Sequence, residues 1–104
     1  MQISLERAIE GLVSYMEEQM RQMTDPLDKF KWSLAKGVLQ NNPSGIVARL
    51  RPTLEMLGIV SGTTVDLDAM KAALDMGFAN VPRVPLFGWN FTADDSSALL
   101  AKMQ

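Results

Sequence analysis

Read as apolar and polar positions, the chain resolves into five helical patterns and one run that breaks them. Leu5, Ile9, Leu12, Met16 and Met23 recur at spacings of three, four and seven, one face of a helix over residues 4–23. Gln19 takes the missing seam position. Ala8, Val13 and Met20 widen the stripe beyond a coiled-coil seam, which predicts packing into a globular core. Glu6, Arg7, Glu10, Ser14, Glu17, Glu18 and Arg21 fall mostly on the other face.

Asp25 and Pro26 have the chemistry of a cap followed by a first helical position, so a second helix is expected over about 26–40. Its predicted buried face is Leu27, Phe30, Leu34, Ala35 and Val38. Gly37 weakens a helix interior by roughly 0.5–1 kcal/mol relative to alanine, so a close neighbouring helix is expected there. Asn41 to Gly45 compose a turn, with Ser44 as candidate cap of a third helix over about 45–57. Pro52 predicts a kink near 48–52 or two short helices. Gly58 fits the left-handed position after a helix end, with Ile59 folding back. Asp66 caps a fourth helix over about 66–76, and Thr92 a fifth over about 93–103.

Residues 81–91 cannot be helical, because Pro82, Pro85 and Gly88 interrupt them. The segment carries Phe87, Trp89 and Phe91. The expected architecture is all-α, a single domain over 1–104 with four to five helices. This extended Pro/aromatic segment lies before the last helix. A minimal two-stranded ribbon between residues 63–65 and 89–91 fits the same pattern, and would need helices behind it.

Composition removes much chemistry. The chain has neither cysteine nor histidine, so thiolate catalysis, cysteine-based metal sites and the commonest general base are excluded. No catalytic, metal or cofactor motif is present, and the expectation is a non-enzymatic protein with no cofactor. A net charge of -2 argues against nucleic-acid binding. The residues before the first helix lack an apolar export signal and no window is apolar enough to span a membrane, so a cytoplasmic location is expected.

The remaining candidates concern surfaces. Asp66, Asp68, Asp94 and Asp95 read as caps rather than cation ligands, since the calcium-loop spacing is missing. Methionine offers adaptable apolar surface, and Trp and Phe on a non-helical arm are the residue types that anchor interfaces. An extended strand points its side chains both ways, so one core cannot take all of 84–91. These features predict a protein–protein interaction or assembly module, self-associating as a homodimer or larger. Its contact surface is assigned to Met16, Met20, Met23, Leu86, Phe87, Trp89 and Phe91. Two alternatives stand beside it. One is a small-ligand site or minimal enzyme with a pocket lined by the 78–91 aromatics beside Tyr15 or Arg83. The other is a nucleic-acid or acidic-partner surface built from Lys29, Lys36, Arg49 and Arg51.

Overall fold

The computed structural model describes residues 1–76 and 93–104. In chain order these form β1 (Gln2–Ser4), α1 (Leu5–Gln22), α2 (Pro26–Asn41), α3 (Pro43–Met56), β2 (Val60–Ser61), β3 (Thr64–Asp66), α4 (Leu67–Asp75) and α5 (Ala93–Met103). The protein is therefore mostly helical, as the periodicity predicts.

The helix ends follow from local chemistry. Ser4 Oγ accepts from Arg7 N at 3.0 Å and Asp25 Oδ1 from Leu27 N at 2.9 Å. Asp66 Oδ1 accepts from Asp68 N and Ala69 N at 2.9 and 3.2 Å. Each satisfies backbone donors that a first helical turn leaves open. The cap of α3 is Asn42 rather than Ser44: its Oδ1 accepts from Gly45 N at 3.1 Å, and Pro43 takes the first helical position. The helix thus starts two residues before the expected boundary and is continuous through Pro52, where a break was an option. At its end Gly58 adopts φ +75°. Gly58 N donates to Glu55 O at 3.0 Å and Ile59 N to Leu54 O at 2.9 Å, the two bonds of a Schellman stop.

A three-stranded antiparallel sheet was not foreseen in this form. Its order is β1-β3-β2, with Ile3 opposite Val65 and Val60 also opposite Val65. Strands of two or three residues are too short for alternation to declare them. The expected partner of residues 63–65 was 89–91, which lies outside the described residues. β3 has β1 on one edge and β2 on the other, so it keeps no edge for that pairing.

The sheet, α1, α4 and α5 enclose the core. Ile59, Val65, Leu67, Leu74, Leu99 and Met103 are almost wholly buried. α1 crosses α5 so closely that a Cβ on Gly11 would lie 2.7 Å from Met103 Cα and 2.9 Å from Lys102 O. Arg7 on α1 donates to the carbonyls of Lys102 and Gln104 at 3.2 and 3.3 Å, placing a cation at the carbonyl end of α5. Glu18 and Lys102 form an ion pair across the same two helices. The close backbone neighbours of α3 are α2 and β2.

Candidate functional site

The most conspicuous surface belongs to α2. Leu27, Phe30, Leu34 and Val38, spaced by three, four and four residues, are 58, 59, 55 and 48 % exposed. These are the side chains expected to be buried. The helix is instead turned so that Leu39 is buried and Trp32, read from the sequence as lying off the apolar face, packs against the core. Half-buried Lys36 on the inner side lies 3.8 Å from Glu17 of α1. Nor does Gly37 meet the close neighbour expected of it: nothing lies within 4 Å of a Cβ built there. α2 therefore has two apolar sides, one holding the helix to the protein and one facing outward.

The residues assigned to a contact surface fare differently. Met16 is 0 % exposed, so it belongs to the interior and drops out of any surface. Met20 and Met23 are half-buried. Leu86, Phe87, Trp89 and Phe91 lie outside the described residues, as do Phe78, Arg83 and the Thr92 cap. The α2 face was legible as apolar from its spacing. The sequence did not tell which side the rest of the chain would cover, because Trp32 and Leu39 compete for the core with the longer stripe.

The polar candidates are largely engaged. Arg51 Nη1 donates to Glu55 Oε1 at 3.3 Å and to Gly62 O at 3.0 Å. With Lys36 also beside a carboxylate, the supposed basic face retains Lys29 and Arg49 as exposed cations without an ion pair among the described residues. Asp66 caps α4, and Asp68 accepts from the Met1 amino group at 2.8 Å, which raises that amine's pKa. Hydrogen bonding to Lys102 lowers the Glu18 pKa, and hydrogen bonding to Lys71 lowers that of Asp75. No group of three potential metal ligands occurs among the described residues. Tyr15 is 4 % exposed within the core cluster. Burial, with the charge of Asp95 adding to it, pushes its phenol up to about 12. A neutral, enclosed phenol is a packing group rather than a base at neutral pH.

A partly open cavity of about 100 Å³ lies where α3 faces α1, with a lining that is entirely apolar. It is bounded by Leu5, Ile9 and Leu12 on one side and Val47, Leu50 and Leu54 on the other. Without converging acid, base or hydrogen-bonding groups, it offers no catalytic constellation. No helix among the described residues is long and apolar enough to cross a membrane. Comparison of the chain with family models, with curated proteins and with solved structures finds no match in any of the three.

Proposed function

We propose that this protein is a non-enzymatic interaction module that associates with a second copy of itself through the outward face of α2. The observation that carries the reading is the row Leu27, Phe30, Leu34 and Val38, four large apolar side chains about half exposed on one 16-residue helix. Contiguous apolar patches of several hundred Å² on a protein surface mark interaction sites more often than chance. A 16-residue helix is about 24 Å long, enough for two copies to lie along each other.

The face suits a two-fold partner. Reversing α2 about residue 32 sets Phe30 against the partner subunit's Leu34, and Leu27 opposite the partner subunit's Gly37. The open space at Gly37 then receives a side chain from the facing helix, supplying the close approach that this glycine lacks within one chain. Antiparallel helices also oppose their dipoles favourably, and a two-fold contact uses one patch on both subunits. Standard stable interfaces bury about 800 Å² per partner, so the stripe needs its polar rim as well. Affinity in the micromolar range is the matching expectation.

Light scattering and sedimentation at tens of micromolar test this. The expected result is a dimer that Leu34→Asp converts to monomer with an unchanged helical circular-dichroism spectrum. A wild-type chain that stays monomeric across that range sinks the proposal.

A further inference from the structure

The cavity where α3 faces α1 is walled by most of the fold. Leu12 of α1, Leu39 of α2, Leu50 of α3, Val65 of β3, Leu74 of α4 and Leu99 of α5 all line it. All of these except Leu12 are at most 9 % exposed. Structure around an empty space relaxes only in part. Side chains anchored on separate helices and strands cannot all move inward together, so the space persists.

The wall dictates what fills that space. Every lining side chain is apolar. A water molecule in a cavity needs polar partners, and among the described residues this wall offers none. Apolar cavities of about 150 Å³ stay dry and take small hydrophobic guests instead. The space here, about 100 Å³, holds about three heavy atoms if each takes roughly the 30 Å³ of a water molecule. Because the cavity is partly open, a guest of that size enters by side-chain motion rather than by unfolding of the chain.

We propose that this cavity is a binding site for a small, neutral, apolar molecule of about three heavy atoms. Wall atoms that face empty space lack dispersion partners. A short hydrocarbon or thioether supplies them and leaves no polar group unpaired. A charged or hydrogen-bonding guest is rejected, because its polar atoms give up water for a wall without partners. The site does not depend on self-association: α2 contributes Leu39 from its inner side, whereas the row Leu27, Phe30, Leu34 and Val38 faces outward. Contacts from so few atoms support affinity in the millimolar range.

Titration of the full chain with dimethyl sulfide and with its polar counterpart dimethyl sulfoxide, up to tens of millimolar and followed by methyl NMR, tests the assignment. The lining methyls of Leu50, Leu54, Val65 and Leu99 should shift saturably with the sulfide. The sulfoxide should bind about tenfold more weakly, as expected of a buried polar oxygen without a partner. Xenon under pressure should move the same methyls. Val65→Ile places one more methyl group in the space and should weaken sulfide binding about fourfold, the weight of one buried carbon. Should that variant fail to fold, the wild-type methyl map decides alone. Shifts confined to Leu27 and Leu34 on α2, no shifts in the lining methyls, or equal affinity for sulfide and sulfoxide each overturn the proposal.

Discussion

The two sides of α1 are packed by different means. Toward α5 it comes to backbone contact at Gly11, with Arg7 on the α5 carbonyl end and Glu18 paired to Lys102. Toward α3 it meets only side chains across a cavity of about 100 Å³. Protein interiors are normally filled to crystal-like density, and space left between side chains costs about 24 cal/mol per Å³, so the loose side forgoes roughly 2 kcal/mol. The tight side has no room to add an atom, while the loose side has room for several. The same contrast separates two glycines within helices, since Gly11 is pressed against α5 and Gly37 faces open space.

The contrast fails first, and most visibly, if Gly11 tolerates a side chain. Gly11→Val should destabilise the protein by about 3 kcal/mol, the upper end for overpacking, because the obstacle is the α5 backbone. Chemical denaturation measures it, and a loss under 1 kcal/mol would mean the two helices separate easily.

Next in size is the titration of Tyr15. Its phenol has a pKa of about 12 in the folded chain against about 10 when unfolded. The folded state favours the neutral form, so this contribution is fully present below pH 10 and is lost as pH rises from 10 through 12. Two pH units correspond to something on the order of 2–3 kcal/mol. Absorbance at the phenolate band should show a midpoint well above 10, and an ordinary midpoint would mean that the core near Asp95 admits water.

Adding a methyl group on the loose side should help rather than harm. Val65→Ile extends a buried side chain that borders the cavity and should stabilise by about 0.8 kcal/mol. A melting temperature raised by a few degrees would sharpen the comparison, and a lowered one would show that the space is not reachable from β3. The smallest effect concerns Gly37→Ala, which should add about 0.5–1 kcal/mol through helix propensity at concentrations where the chain is monomeric. The same change should weaken self-association, since it fills the space assigned to the partner subunit's Leu27.

Much of this was legible along the chain. Asp25, Pro26, Gly58 and Asp66 act where their local chemistry places them, because capping involves residues a few positions apart. The helices ran close to their expected bounds for the same reason. Facing was harder. The periodicity of α2 identified an apolar stripe, but a 3.6-residue period says which side chains share a side and nothing about what covers them. Met16 shows the converse, an adaptable residue assigned to the surface that the fold encloses. The cavity was invisible for a further reason: it arises from α3 standing away from α1, a distance that no local pattern encodes.

The pairing of β1 with β3 has a consequence for how the chain folds. Ser4 and Thr64 are register partners, so the sheet closes a loop of about sixty residues, whose entropic cost on the (3/2)RT ln n scale is roughly 3–4 kcal/mol. α1, α2 and α3 all lie inside that loop and are built from local bonds. They are free to form early, whereas β1 can join β3 only after both ends of the loop have met. Completion of the three-stranded sheet is therefore the expected slow event in refolding, and the bond from Leu67 N to Met1 O is among the last to be protected from exchange.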